Sequence, residues 1–153
     1  MAHGDITHID IPVDDLERAR RFYQTVIGWT IEYTANRKAF GHTIADFQNT
    51  QFKLAELATQ VEVGQAFVDQ LCVAHVRGDD VVMEASMAKW WTTDLQKRLT
   101  SECLQLHGGY GFMMEYPIAL DYADAAVQSI YAGTNEIMKV LIARRLGLDP
   151  TRA

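Results

Sequence analysis

The chain has 153 residues, of which 48% are hydrophobic, 22% are charged and only three are prolines. These fractions exclude an intrinsically disordered chain and supply enough apolar side chains for one sizeable hydrophobic core. Fourteen basic against twenty acidic residues leave a formal net charge of −6, which excludes the basic surface typical of nucleic-acid-binding proteins.

The sequence lacks the signs of membrane insertion and of secretion. No apolar run reaches the roughly 20 residues that cross a bilayer, and the first ten residues hold no basic region followed by an apolar one. Cys72 and Cys103 both lie within apolar helical patterns, which does not favour a disulfide scaffold. We therefore expect a cytoplasmic protein with no membrane partner.

The first predicted elements are a short strand and a helix. Residues 6–13 alternate between two faces, as a strand does. Asp14 or Asp15 can cap a helix over residues 16–27, and Gly28 is expected to end that helix. The chain is therefore expected to open with a β-α segment.

From Thr30 onward the pattern is helical almost throughout. Between Asp46 and Val76, apolar or small residues recur at alternating steps of three and four, which predicts one long helix. An acidic turn at residues 77–80 is expected to begin a second helix, because carboxylates favour the positive end of the helix dipole. That helix is expected to end at residues 107–109.

Two shorter helices follow in the prediction. Pro117 suits the first turn of a third helix, which runs to about Ser129. Thr134 is a suitable N-cap for a fourth helix, which Gly147 and Pro150 are expected to end. Four helices with short links favour an all-α fold, an antiparallel four-helix bundle. The predicted core residues are Leu54, Leu57, Val61, Val68, Leu71, Leu95 and Leu99.

Two glycine-containing turns are candidate binding sites. Residues 105–111 follow the second predicted helix, and residues 130–136 precede the fourth. Exposed backbone N–H groups beside glycine allow an anion or a planar ring to approach the main chain closely. The structural alternative is that Gly108 and Gly109 end a helix and that Gly133 only forms a turn.

The residue spacing does not indicate a metal site, a catalytic nucleophile or a phosphate-binding loop. The CxxC, HxxxH and HExxH metal-binding spacings are absent, as are a nucleophile elbow and a GxxxxGK phosphate loop. His8 is the most tempting metal ligand, but a lone histidine is more often structural. Arg37 and Lys38 are candidate anion contacts, with solvated surface as the alternative. We predict no metal site.

Several segments, in order along the chain, resemble the C-terminal helical domain of acyl-CoA dehydrogenases. They lie within about residues 30–149, and their details are most similar to the long-chain and related branched-chain subgroup. The segments are RKAFG at 37–41, DFQ at 46–48, FKLAEL at 52–57, ASMAK at 85–89, QLHGGYGF at 105–112, EYP at 115–117 and IYAGTNEI at 130–137.

This resemblance implies an FAD-dependent enzyme that removes the α-proton of an acyl-CoA thioester while hydride passes from the β-carbon to the flavin. In that family, FAD bound largely by one subunit is also contacted by a neighbouring subunit. The implied cofactor-binding residues are Arg37, Gln48, Gln105, Gly108, Gly109, Thr134, Asn135 and Glu136, and the implied substrate contacts are Tyr131, Ala132 and Gly133. The implied partners are acyl-CoA and either a second copy of the chain or a full-length relative.

The sequence departs from the family at the catalytic base. Many members carry a glutamate at the position of Ala132, whose methyl group cannot accept a proton. The subgroup without that glutamate takes its base from the preceding helix, where the matching position is Ile11, and the nearby Glu17 is spaced wrongly. We therefore predict no catalytic residue, and expect the isolated chain to be catalytically incomplete without the family's N-terminal and middle domains. The alternative function is a non-catalytic helical module that oligomerises or docks on a full-length relative.

The beginning of the chain resembles a different family. ITHIDIPVDDLERARRFY at 6–23, with Gly28 and Trp29, is similar to the opening of glyoxalase-like, vicinal oxygen chelate domains, in which the histidine matching His8 often binds a metal. The similarity covers only the first strand and helix of such a domain, so we expect no working metal site. The sequence thus predicts two segments, residues 1–29 and residues 30–153, joined from fragments of two families.

Overall fold

A computed structural model describes residues 16–148, and the side chains of residues 24–148. The elements in chain order are α1 (Leu16–Asn36), β1 (Lys38–Ala39), β2 (His42–Thr43), a 3-10 helix (Ile44–Asp46), α2 (Gln48–Val76), α3 (Val82–His107), a second 3-10 helix (Gly108–Phe112), α4 (Pro117–Gln128) and α5 (Asn135–Arg145). The all-α fold expected from the apolar periodicity is confirmed. The predicted strand over residues 6–13, with Asp14, Asp15 and His8, lies outside the described residues.

Helix α3 is the centre of the bundle, since it packs against α1, α2, α4 and α5. The face of α2 that meets α3 includes Gly64, and a Cβ atom placed there would lie 2.6 Å from Cζ3 of Trp91. The missing side chain therefore allows the indole ring to lie directly against the α2 backbone. The main core cluster is formed by Val26, Ile27, Leu57, Val61, Leu95, Leu99, Cys103 and Ile118.

Most of the predicted core residues are buried. Leu57, Val61, Leu71, Leu95 and Leu99 have almost no exposed surface, as the apolar periodicity predicts. The other two predicted core residues, Leu54 and Val68, are half-buried. No helix within residues 16–148 combines the length and apolar character needed to cross a membrane.

Helix α1 is longer than predicted, because it continues through Gly28 to Asn36. A glycine inside a helix costs about 1 kcal/mol relative to alanine. Burial of one helical face on both sides of this glycine offsets that cost, and the buried residues are Val26, Ile27, Thr30 and Thr34. The predicted stop at Gly28 is therefore wrong. The position between residues 29 and 30 lies inside α1, and the division into two segments remains a prediction.

A small hairpin interrupts the region that was predicted to be helical from Thr30 onward. β1 pairs with β2 in antiparallel register, with Lys38 opposite Thr43. The two residues between the strands, Phe40 and Gly41, have φ values of +54° and +84°, as a tight hairpin turn of the type I′ class requires. The Thr43 backbone N–H donates to Oδ2 of Asp46 at 2.8 Å, and this bond lowers the pKa of the Asp46 carboxyl. Turn geometry thus overrides helix propensity here.

The predicted helix ends are confirmed for the last three helices. The N-cap residue of α3 is Val81, which makes no side-chain capping bond, but Oδ1 of Asp80, one residue earlier, accepts a hydrogen bond from the Val82 backbone N–H at 3.3 Å. The acidic turn therefore does precede α3, as predicted. Pro117 is the first residue of α4. The Thr134 hydroxyl accepts a hydrogen bond from the Ile137 backbone N–H and caps α5. These ends depend on contacts within a few residues, which is why local sequence predicts them.

Candidate functional site

A cleft of about 510 Å³ lies where the end of α1 meets the end of α3. We call it the glycine cleft; its lining residues are Arg37, Ala39, Ile44, Gln105, Leu106, His107, Gly108, Gly109, Tyr110 and Met113. It brings four of the predicted cofactor-binding residues together, namely Arg37, Gln105, Gly108 and Gly109. Gln48, at the start of α2, is exposed and does not line the cleft.

The hairpin and the end of α1 together position Arg37 in the cleft. Its backbone N–H donates to the Tyr33 carbonyl at 2.8 Å, and its own carbonyl accepts from the Ile44 N–H at 2.8 Å. The guanidinium carbon lies 5.1 Å from the centre of the Tyr110 ring, which is a cation–π arrangement. The positive charge of Arg37 is thereby held against one wall of the cleft.

A cluster of aromatic rings supports the cleft from below. Tyr33 stacks on His107 with ring centres 4.2 Å apart, and its hydroxyl donates to the His107 carbonyl at 3.0 Å. Burial raises the pKa of Tyr33, so this hydroxyl keeps its proton at neutral pH. Nδ1 of buried His107 lies 2.8 Å from the Cys103 carbonyl, which can only accept, so Nδ1 carries the hydrogen. Tyr110 and Tyr116 complete the cluster.

The glycines within residues 108–111 differ in what surrounds them. Gly108 ends α3 with a φ of +59°, which confirms the structural alternative of a helix cap. A Cβ atom at Gly108 or Gly109 would meet nothing within 4 Å, so there is open space beside both Cα atoms, although the Gly108 N–H already donates to the Gln105 carbonyl. By contrast, a Cβ at Gly111 would lie 2.5 Å from the Leu104 carbonyl oxygen. The helix cap and the open backbone therefore occur at the same turn.

The second predicted site is the turn before α5, here called the 130–134 turn. Ala132 and Gly133 have φ values of +51° and +90°. The left-handed conformation costs a residue with a side chain about 1–3 kcal/mol and persists only where the surrounding structure maintains it. The Asn135 backbone N–H donates to the Ser129 carbonyl at 3.0 Å and closes the turn.

The three predicted contacts at the start of α5 have different surroundings. The Thr134 hydroxyl is used as the helix cap, and Glu136 is exposed, with its pKa lowered by hydrogen bonds from its own backbone N–H and from Thr134. Asn135 is buried and its side chain is directed into the bundle, where it contacts Lys89 of α3. None of the three lines the glycine cleft.

A protein-family model for the acyl-CoA dehydrogenase C-terminal domain matches residues 18–147. The chain belongs to the acyl-CoA dehydrogenase family. The long-chain specific acyl-CoA dehydrogenase of Mus musculus, named as a mitochondrial protein, is 53% identical over 120 residues, which are 78% of this chain and 28% of that protein. An acyl-CoA dehydrogenase of Bacillus subtilis is 39% identical over 146 residues, or 95% of this chain and 38% of the relative. The crystal structure of an acyl-CoA dehydrogenase from Geobacillus kaustophilus matches with a TM-score of 0.81 at 47% identity, covering 86% of this chain and 34% of that chain.

These matches confirm the resemblance that the seven segments indicate. The chain spans about a third of the length of the acyl-CoA dehydrogenases that it matches. The matched region begins at residue 18, inside α1, and so includes part of the segment that resembles a glyoxalase-like domain. That second resemblance remains a prediction. Among the side chains that the structure describes, those of residues 24–148, no group of three or more His, Cys, Asp or Glu is arranged to hold a metal ion.

Sequence reasoning missed two residues of the acyl-CoA dehydrogenase domain that the structure makes prominent. Tyr33 supports the glycine cleft, and Lys89 is buried against Asn135. Lys89 lies in the ASMAK segment. The similarity of that segment to the family does not indicate a role for the lysine. No local pattern marks Tyr33, because its partners lie more than 70 residues away in the sequence.

We expect Tyr110→Leu to release the Arg37 side chain. An exposed cation–π contact contributes about 0.5–1 kcal/mol. In the NMR spectrum, the side-chain protons of Arg37 should lose the upfield shift that an aromatic ring causes. Tyr122→Leu, at an exposed tyrosine on α4, is the matched control and should leave these signals unchanged. Unaltered Arg37 signals in Tyr110→Leu would contradict the cation–π contact.

Proposed function

We propose that this chain acts as the C-terminal helical domain of an FAD-dependent acyl-CoA dehydrogenase and contributes one edge of an FAD-binding site. The observation that carries the proposal is the glycine cleft. It combines a guanidinium, two glycines with open backbone and a side-chain amide, contributed by Arg37, Gly108, Gly109 and Gln105. This is chemistry that suits a dinucleotide: positive charge for pyrophosphate, glycines that permit close approach to the main chain, and polar and apolar surface for the nucleoside.

The donor set of the glycine cleft fits the nucleotide part of FAD. Arg37 would donate to the pyrophosphate oxygens, the 108–109 backbone would allow close approach, and Gln105 would hydrogen-bond a polar edge of the nucleoside. Gln48, Thr134, Asn135 and Glu136 remain predicted contacts outside this cleft. When bound, FAD supplies the acceptor for the hydride that leaves the β-carbon of the thioester.

We infer that the 130–134 turn contributes to binding of the acyl-CoA thioester through Tyr131, Ala132 and Gly133. Within residues 16–148, no backbone carbonyl accepts a hydrogen bond from the backbone N–H of Ala132 or Gly133. A free N–H is the type of donor that stabilises negative charge on a thioester oxygen. Since Ala132 has no proton-accepting side chain, an isolated chain should not reduce FAD in the presence of an acyl-CoA.

The FAD edge can be tested by titrating the purified chain with FAD and following flavin absorption and fluorescence. We expect saturable binding that weakens about tenfold or more in Arg37→Ala, because hydrogen bonds between charged groups contribute about 1.5–3 kcal/mol. Arg77→Ala is the matched control, since Arg77 is an exposed arginine at the α2–α3 turn that pairs with Asp79. Gln48→Ala tests the predicted contact outside the cleft. No saturable binding by the unmodified chain, or equal losses in Arg37→Ala and Arg77→Ala, would contradict the proposed FAD edge.

The alternative function, a non-catalytic helical module, is favoured by the exposed apolar surface. Large apolar side chains that are almost fully exposed are candidates for burial by a partner surface. Phe40, Phe112 and Val76 are 95%, 87% and 86% exposed, and Phe52, Met114 and Ile130 are each more than half exposed. A second copy of the chain or a full-length relative would cover these residues. A purely monomeric sedimentation profile at high protein concentration would contradict a self-associating module.

The cytoplasmic location predicted from the sequence remains a prediction. The mouse relative is mitochondrial by its name. The substrate class is likewise inferred by analogy with relatives, of which the mouse protein is named as long-chain specific. We therefore propose a fatty acyl-CoA as the substrate of the complete enzyme, without assigning a chain length.

A further inference from the structure

A buried lysine links the centre of the bundle to the start of α5. Lys89 of α3 is only 7% exposed, and its ammonium donates to Oδ1 of Asn135 at 2.9 Å. Burial lowers the pKa of Lys89, while the carboxylates of Asp94 and Glu136 act in the opposite direction. Ammonium groups are almost never buried without polar partners, so burial of Lys89 depends on its contact with Asn135.

Asn135 has the chemistry needed to connect this ammonium to a carboxylate. Its Oδ1 atom accepts from Lys89, while its Nδ2 atom donates to Oδ1 of Asp94 at 3.0 Å and to Oγ1 of Thr93 at 3.0 Å. The Thr93 hydroxyl in turn donates to the Lys89 carbonyl at 2.9 Å. An amide side chain can accept from an ammonium with its oxygen and donate to a carboxylate with its nitrogen at the same time.

Asn135 connects this hydrogen-bond network to the 130–134 turn. It is the first residue of α5 and directly follows the 130–134 turn, in which Ala132 and Gly133 are left-handed. Its backbone N–H closes the same turn by donating to the Ser129 carbonyl. One residue thus joins the turn, through its backbone, to α3, through its side chain.

We propose that Lys89 is a positioning residue that acts through Asn135 to hold the 130–134 turn in its left-handed conformation. The network anchors the C-terminal end of the turn to the rigid centre of the bundle. Ala132 then keeps a conformation that its Cβ atom disfavours. The inference rests on the proposed function only for the identity of the ligand that the turn would meet.

The test is the NMR spectrum of the isotopically labelled chain, without any ligand. Lys89→Met keeps an unbranched apolar stem of the same four-atom length but removes the ammonium. We expect the 13Cα and 13Cβ shifts of Ala132 and the 13Cα shift of Gly133 to move toward random-coil values. Exchange of the Asn135 amide hydrogen, which is bonded to the Ser129 carbonyl, should accelerate about tenfold or more. Unchanged shifts in a folded Lys89→Met variant would overturn the proposal.

A rescue experiment separates positioning from a general loss of stability. Asn135→Asp should release the turn, because a carboxylate cannot donate to Asp94 and is repelled by it. Adding Asp94→Asn should restore the Ala132 signals, since the carboxylate introduced by Asn135→Asp would accept from Lys89 while the amide introduced by Asp94→Asn donates back to that carboxylate. Asp94 also pairs with Lys97 at 3.3 Å, so Asp94→Asn by itself is the reference for the double variant. Failure of the double variant to recover the Ala132 signals would overturn the proposal.

A core variant provides the matched control for stability. Leu95→Ala lies on α3, in the main core cluster, and removes apolar contacts without touching the Lys89–Asn135 network. It should lower global stability in a urea titration but leave the Ala132 and Gly133 signals of the folded protein in place. Equal signal changes in Leu95→Ala and Lys89→Met would overturn the positioning role. Because no FAD is present, these outcomes are independent of the FAD titration.

Discussion

Replacement of Leu99 by alanine is expected to lower the free energy of unfolding by about 3–5 kcal/mol. Leu99 has no exposed surface and lies in the main core cluster, with neighbours contributed by α1, α2 and α4. Removing its isobutyl group would lose the transfer free energy of the buried carbons and leave a cavity that helices on three sides cannot readily fill. This loss is a large fraction of the stability of a typical domain.

Urea titration followed by far-UV circular dichroism measures the effect, at one protein concentration because self-association would add to apparent stability. Leu120→Ala, at a half-exposed leucine on α4, is the matched control and should cost about 1 kcal/mol or less. A loss below about 1 kcal/mol in Leu99→Ala would mean that α3 is not the packed centre of the bundle.

The second large effect is expected from Gly111→Ala. The new Cβ would lie 2.5 Å from the Leu104 carbonyl oxygen and 3.2 Å from the His107 Cβ. A backbone carbonyl cannot move aside as a flexible side chain does, so the whole turn after α3 must shift. We expect a loss of about 1–3 kcal/mol in the free energy of unfolding, as for other overpacked sites, and a distorted glycine cleft.

Gly109→Ala is the matched comparison two residues earlier. A Cβ at Gly109 meets no atom within 4 Å, so stability should change by about 0.5 kcal/mol or less. Because that methyl group would lie at the lining of the cleft, we expect it to weaken FAD binding. Gly111→Ala thus changes stability, whereas Gly109→Ala changes binding with little change in stability. Thermal unfolding and the FAD titration measure both, and a stable Gly111→Ala variant with normal FAD affinity would contradict this view of the turn.

The helices after residue 47 could be predicted because their signals are local. Steps of three and four in the apolar pattern determine which face of α2 and α3 is buried, and Pro117 and Thr134 satisfy the special needs of helix starts within one turn. The continuation of α1 through Gly28 was missed for the opposite reason. At Gly28, burial of neighbouring residues outweighs the local helix-ending preference, and single-sequence patterns do not reveal burial.

For the candidate site, too, local motifs could be predicted and long-range contacts could not. The motifs at 105–112 and 130–137 could be recognised as segments, and the family match confirms the resemblance that they carry. The convergence of Arg37 with Gly108 and Gly109 could not be derived from spacing, because it depends on how α1 packs against the end of α3. The inward direction of the Asn135 side chain could not be derived from spacing either. The resemblance implies that Asn135 binds the cofactor, whereas in the structure its side chain is hydrogen-bonded to Lys89.

By itself, the sequence determined the helical class, most helix ends, the central core residues and the absence of a proton-accepting side chain at Ala132. Each of these depends on residue type or on interactions within one or two helical turns. Only the tertiary structure decided that Arg37 lies over Tyr110, that Tyr33 supports His107, and that Lys89 is buried against Asn135. These pairs are far apart in the chain, and the packing of whole helices around α3 brings them together.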